Sequence, residues 1–254
     1  MKDIVPQKVQ LEVCANSVAS ALAAQEGGAC RVELCDNLEN GGTTPSFGQI
    51  LQARKLLNIK LYVLIRPRSG DFLYTDLEYE IMTADVRGCV EAGCDGVVIG
   101  ILNADGSVDK KRCKELVNMA KSKGLGVTFH RAFDMANDLN QALEDIIELG
   151  CERILTSGGR TTAMEGASHI AHLVEQAAGR ITIMPGSGID EHNVTDLVHF
   201  TGVNEIHSSA RKSVHSIMQF VNDHIIMGSN AGAEYSFDQS DAERVKEIIK
   251  LANS

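Results

Sequence analysis

In residues 31–35, RVELC, apolar Val32 and Leu34 alternate with Arg31, Glu33 and Cys35. A period of two puts the two sets on opposite faces of a β-strand. The pattern recurs in a fixed setting. EGGACRVELC (26–35), EAGCDGVVIG (91–100), ELGCERILTSG (148–158) and TGVNEIHSSA (201–210) each run from a helix-ending glycine through two or three connecting residues into a β-branched run. That order is the chemistry of an αβ loop. The glycines, Gly28, Gly93, Gly150 and Gly202, recur at intervals too long for one βα unit and suited to two. Strand candidates fill the gaps: KLYVLIRP (60–67), GVTFHRAFD (126–134) and ITIMPGSG (181–188), with VQLEVCA (9–15) ahead of the first.

Between the strands the apolar spacing becomes helical. SVASALAAQEGG from Ser17, DLEYEIMTADVRGCVEAG from Asp76 and DLNQALEDIIELG from Asp138 each open on a residue suited to N-capping. Strict alternation implies parallel strands, and eight units imply an α/β fold of the closed (β/α)8 barrel type. A chain of 254 residues with 44% hydrophobic content suits one domain, residues 1–254. Residues 212–240 break the rhythm. They are long for a βα loop and read as a lid over the site or a flexible excursion before the last helix.

Charge and cysteine content narrow the function. The formal charge is −10, with no basic run, which argues against nucleic acid and against a basic membrane-binding face. Small anionic molecules or ions are the expected partners, with a homo-oligomer left open. The N-terminal stretch lacks the unbroken apolar run of a secretory signal, so a cytoplasmic location is expected. Seven scattered cysteines without a CxxC pair suit reduced thiols rather than a disulfide framework or a four-thiolate zinc site. No GxGxxG follows the first strand and no GxxxxGK[ST] occurs, which weakens nucleotide-binding alternatives.

With the apolar set facing the helices, the lumen receives Gln10, Glu12 and Cys14, Arg31, Glu33 and Cys35, Tyr62, Leu64 and Arg66, Thr128 and His130, Thr182, Met184 and Gly186, and Glu205, His207 and Ser209. Such a lumen is unusually polar. One explanation is a buried ionic core in which Glu12 and Glu33 pair with Arg31 and Arg66. Another is a site, because Cys14, Cys35, Arg66, His130, Ser157 and Ser209 fall at strand carboxyl ends, where barrel enzymes place their chemistry.

Three constellations carry that second reading. In IRPRSGDF (65–72), Arg66 and Arg68 offer forked donors to an oxyanion and Asp71 orients one of them. In TFHRAFD (128–134), His130 with Arg131 and Asp134 beside it suits proton transfer near neutral pH or imidazole ligation of a metal, and Glu12 and Glu33 are further proton-transfer groups. In TSGGR, PGSGI and HSSAR, residues Ser157, Gly158, Gly186, Gly188, His207, Ser208 and Ser209 offer hydroxyls, an imidazole and backbone N–H groups to a substrate anion. For metal, Cys14 and Cys35 on adjacent strands would suit a soft ion such as Cu(I).

LEVCANS, GACRVELCDNLENGGTTPS, IRPRSGDFLY, VTFHRAFD, RILTSGG and EIHSSAR together resemble the CutC family of copper homeostasis proteins, from about residue 9 to the last helix. The resemblance implies a (β/α)8 barrel, cytoplasmic copper handling, and Cu(I) at Cys14 and Cys35. Two functions follow as expectations. The chain is a Cu(I)-binding protein, or it is a lyase- or isomerase-type enzyme acting on a small phosphorylated or carboxylated substrate.

Overall fold

The computed structural model describes residues 8–222, 224–225 and 234–254. Eight strands form one parallel sheet: β1 (Gln10–Ala15), β2 (Arg31–Leu34), β3 (Lys60–Leu64), β4 (Gly96–Ile99), β5 (Gly126–Phe129), β6 (Arg153–Thr156), β7 (Thr182–Pro185) and β8 (Glu205–Ser208). From β1 to β7 each strand hydrogen-bonds to the next and β1 also pairs with β8, while β7 lies against β8, so the sheet curls into a (β/α)8 barrel. All eight strand stretches predicted from alternation are present.

The helices lie between them: α1 (Val18–Glu26), α2 (Phe47–Leu56), α3 (Asp76–Glu91), α4 (Lys110–Lys121), α5 (Leu139–Leu149), α6 (Ala167–Ala177), α7 (Val194–Thr201) and α8 (Ala242–Leu251). Ser17 and Asp138 cap α1 and α5 through their side chains, as expected. At α3 the cap is Thr75 rather than Asp76: the Thr75 hydroxyl accepts from the Glu78 N–H and the Glu78 carboxylate accepts from the Thr75 N–H. That reciprocal pair satisfies two amide groups at once, and Asp76 becomes the first helical residue. Gly28, Gly93, Gly150 and Gly202 all have positive φ, between 70 and 92°, as helix-ending glycines should.

Period-two alternation divides the buried residues into two apolar bodies. Val13, Val32, Leu34, Val63, Val97 and Phe129 join the large core between strands and helices, whereas Cys14, Cys35, Tyr62, Leu64 and Val98 cluster separately in the lumen. Below the lumen cluster lies an ionic layer. Arg31 donates to Glu12 and to Glu205, and Arg153 donates to Glu205 and Thr128. The Tyr62 ring lies among these charges, 5.2 Å from the Arg31 guanidinium and 5.3 Å from that of Arg153. Its hydroxyl donates to Glu152 at 2.8 Å. Room for the ring comes from two glycines: a Cβ on Gly96 would lie 2.4 Å from ring carbons, and one on Gly126 would lie 1.9 Å from the hydroxyl.

The segment at 212–240 is neither a plain loop nor an added barrel unit. Its ends form an antiparallel ribbon, β9 (Arg211–His215) with β10 (Ser236–Ser240). The β10 strand packs on α1 and is held by the Ser240 N–H donating to the Ser20 hydroxyl and by the Asn16 amide donating to the Asp238 carbonyl. Residues 223 and 226–233, which the lid reading includes, lie outside the described residues. Among the described residues no helix is long and apolar enough to cross a membrane.

The Tyr62 packing yields a stability test. Gly96→Ala is expected to lower stability in urea unfolding by about 1–3 kcal/mol, the usual cost of overpacking. The loss should shrink when Tyr62→Leu is added, because the two changes share one space.

Candidate functional site

At the carboxyl ends of the strands a cavity of about 500 Å³ opens, lined by Cys14, Glu33, Cys35, Arg66, His130 and His207 with apolar Leu38, Leu64, Phe72, Leu155 and Ile189. Strand β1 carries Cys14, and the chain leaving β2 carries Cys35. The pairing of Cys14 with Glu33 in register leaves Cys35 one step further up the barrel. Both thiols turn inward and their sulfurs stand 3.2 Å apart. His207, on the other side of β1, reaches over from β8. Its Nδ1 lies 2.8 Å from Glu12 Oε1, and its Nε2 lies 3.6 Å from Glu33 Oε2. Cys14, Glu33 and His207 thereby bring three ligand-type atoms within 4.8 Å of one another.

Charge in this cluster follows from burial against neighbours. For Glu12 burial opposes ionisation, but Arg31, His207 and Arg153 hold its carboxyl far below the usual range. For His207 burial also opposes charge, yet its contacts with Cys14, Glu12 and Glu33 outweigh it and raise the ring well above its ordinary value. Glu33 is raised, chiefly by burial, with the nearby Glu12 carboxylate adding to the effect. The Cys14 thiol is pushed well up by its bond with Cys35 and by burial. At Cys35 the bond with Cys14 favours the thiolate, but burial and the carboxylates of Glu33 and Asp36 prevail and raise it. Near neutral pH the cluster therefore holds an imidazolium, the Glu12 carboxylate and two thiols.

His130 is its counterpart across the barrel. Burial and then the Arg66 charge push it down to about 3, so it stays neutral. Its Nδ1 accepts the Ala132 N–H at 3.1 Å, which leaves the proton on Nε2. Gly100 makes room for the ring, since a Cβ there would lie 2.5 Å from it. The geometry thus makes His130 a fixed neutral donor instead of the neutral-pH proton shuttle read from TFHRAFD. The histidine with carboxylate partners is His207.

The remaining predicted residues divide. Gly188, Ser208 and Ser209 line the cavity with His207; the Ser208 hydroxyl is spent on the Ile189 carbonyl. Arg68 and Asp71 lie outside it: Arg68 pairs with Asp71 and with Glu78 at the surface. Arg68 therefore has no place among the cavity's anion binders. Asp134 accepts from the Thr156 and Ser157 hydroxyls, from the Ser157 and Gly159 N–H groups and from Arg131. It organises the turn after β6, and Ser157 and Gly158 belong to that turn rather than to the cavity wall. Gly186 underlies the cavity, packed between Leu155 and His207. The ionic core also differs from its expected pairing: Glu12 does pair with Arg31, but Glu33 faces His207, and Arg66 binds backbone carbonyls.

Sequence reasoning missed Arg153, Leu155 and Phe72. Alternation along RILTS, applied as on the other strands, would have placed Arg153 and Leu155 inward. For Phe72, which reaches the cavity from the loop after β3, no local pattern exists.

The CutC family model matches residues 9–212. The chain belongs to the CutC family. A CutC family protein from Xylella fastidiosa is 52% identical over 241 residues, covering 95% of this chain and 88% of that protein. One from Chromobacterium violaceum is 50% identical, covering 94% and 96%. Among solved structures, that of a protein named for copper homeostasis, CutC from Streptococcus agalactiae, superposes with a TM-score of 0.75 at 37% identity. It covers 79% of this CutC-family chain and 98% of its own. Thiamine phosphate pyrophosphorylase from Pyrococcus furiosus, at 16% identity and a TM-score of 0.59, shares the barrel fold alone.

The two histidines bend the stability–pH curve in different windows. His130, about 6.5 when unfolded and about 3 when folded, contributes stability that is full above 6.5 and lost as pH falls toward 3. His207, raised on folding, contributes stability that is full below its unfolded value and lost as pH rises through the folded one. Urea midpoints measured from pH 7 to pH 4 should fall less steeply in His130→Phe than in the unaltered chain.

Proposed function

We propose that this CutC-family chain binds Cu(I) as cargo in the cytoplasm, with Cys14 and Cys35 as the sulfur ligands. The observation that carries the reading is the convergence of the two thiols, 3.2 Å apart, on the wall of an open cavity. Thiolate sulfur is the donor a soft monovalent ion selects. The imidazole of His207 stands within ligand distance of Cys14, while the carboxylate of Glu33 is a hard donor better suited to orienting His207 than to holding copper. The name of the Streptococcus agalactiae relative supports the same role.

A second reading is favoured by the proton inventory. Glu12, His207, Glu33 and Cys14 form a buried chain of groups with displaced titrations, the arrangement that general acid–base catalysis uses. On this reading Glu33 and His207 exchange protons with a small molecule, and Glu12 holds the imidazolium in place.

Anaerobic Cu(I) titration against a competing chelator separates the two. Copper binding should be stoichiometric in the unaltered chain and weaker by at least about a hundredfold in the Cys14→Ser, Cys35→Ser double variant. Because both thiols are held protonated, binding must expel protons, and the apparent affinity should rise with pH. Weak binding, or binding that survives loss of both thiols, would refute the copper reading and leave the acid–base one.

A further inference from the structure

Past the carboxyl ends of β3, which pairs with the thiol-bearing β2, and of β5, the cavity has a second wall whose polar groups neither copper nor the acid–base cluster employs. Its centre is Arg66. This side chain is 5% exposed, and its guanidinium donates to the carbonyls of Asn40, Gly42 and Gly70. Those bonds fix the plane of the group without an ion pair: among the described residues no carboxylate lies within ion-pair distance of Arg66, and the Asp71 carboxylate, which feels its charge from further off, is exposed and paired with Arg68. The other arginines at the mouth are answered, Arg131 by Asp134, Arg211 by Asp238 and Arg244 by Glu191. One Arg66 donor, Nε, makes no hydrogen bond of normal geometry, although the Tyr74 hydroxyl lies near enough to feel the guanidinium.

His130, 4% exposed, stands beside it. Both pack on Phe72, the guanidinium 4.9 Å from the ring centroid and the imidazole 5.1 Å from it. With Nδ1 committed to Ala132, the His130 proton sits on Nε2, and that donor is also unpartnered. The same wall of one cavity therefore holds a buried cation without an ion-pair partner and two N–H donors without hydrogen-bond acceptors. A lone buried charge is costly, and unmet buried donors are rare in folded proteins. Both deficits are met by a single kind of guest, a negatively charged oxygen group. The glycines at 41 and 42, with φ of +83° and +85°, let the loop after β2 bring its carbonyls onto the guanidinium, so the cation is rigidly held before any guest arrives.

We propose that the cavity binds a small organic molecule through an oxyanion group, carboxylate or phosphate, seated on Arg66 and His130. His130 suits this task because it stays neutral and can only donate from Nε2, and Arg66 supplies the charge. A cavity of about 500 Å³ leaves space for the rest of the guest to extend toward Glu33, His207 and Cys14. This names the substrate class for the acid–base reading and is independent of copper.

The test uses the full chain stripped of metal on a chelating resin. Thermal unfolding is followed at constant ionic strength, with malonate titrated in one arm, inorganic phosphate in a second and potassium chloride as the control. A guest that binds only the folded state raises Tm saturably. The expected result is such a rise in the malonate arm, the phosphate arm or both, absent with chloride. Apparent affinity should fall about tenfold or more in Arg66→Gln and measurably in His130→Phe, in line with loss of a charged hydrogen bond. A response to malonate alone assigns the site to carboxylates, and a response to phosphate alone assigns it to phosphates. Absence of a saturable rise in both arms, or a rise undiminished in His130→Phe and in whichever Arg66 variant folds, Arg66→Gln or Arg66→Lys, overturns the proposal.

Discussion

The carboxylate of Glu12 is the joint on which the interior turns. One oxygen takes the Arg31 guanidinium and the other lies on His207 Nδ1, so a single side chain links the ionic layer below to the cavity above. A carboxylate this deeply buried persists as an anion only because cations surround it. In turn it keeps His207 charged and its ring oriented, and the ring then faces Glu33 and Cys14. Removing that one anion would strand Arg31 on one side and release the imidazole on the other. The polar lumen is thus one connected assembly, because the same carboxylate belongs to the ionic layer and to the cluster at the cavity.

The cavity divides along the barrel. Strands β8, β1 and β2 supply titratable groups and the two thiols, whereas the ends of β3 and β5 supply fixed donors and positive charge. Pairing of neighbouring strands in register explains the first half, since Cys14, Glu33 and His207 meet through adjacent ladders. The second half depends on loops: Arg66 is held by the turn after β2, and Phe72 returns from the loop after β3 to support both Arg66 and His130.

That contrast explains what could be read from the amino-acid order. Alternation in RVELC and its counterparts specified every strand and most of the inward residues, because burial on both faces ties residue parity to facing, but it was not carried through to Arg153 and Leu155 on β6 or Val98 on β4. The thiol pair and the inward position of His207 followed from the same rule. Partnerships did not. Parity says that Glu33 and Arg66 face inward but not that Glu33 meets His207 while Arg66 meets backbone carbonyls. Nor can a local motif reveal that Arg68 and Asp71 satisfy each other outside the cavity, or that Asp134 is consumed by the turn after β6. His130 shows the deepest gap, because its neutrality depends on burial and on Arg66, a neighbour sixty-odd positions away in the chain and adjacent only after folding.

The ribbon of β9 and β10 has a bearing on how such a chain can be altered. Arg211 is matched to Ser240 and His215 to Ser236, and the strand that returns is tied to α1. Departure and return are thereby clamped side by side next to the barrel wall. Chain length between the clamps is decoupled from closure of the sheet, because the ribbon, not the stretch it brackets, is what meets the barrel. For an experimenter it is a natural port: a fluorescent reporter or an affinity handle spliced there would leave the barrel's own geometry alone.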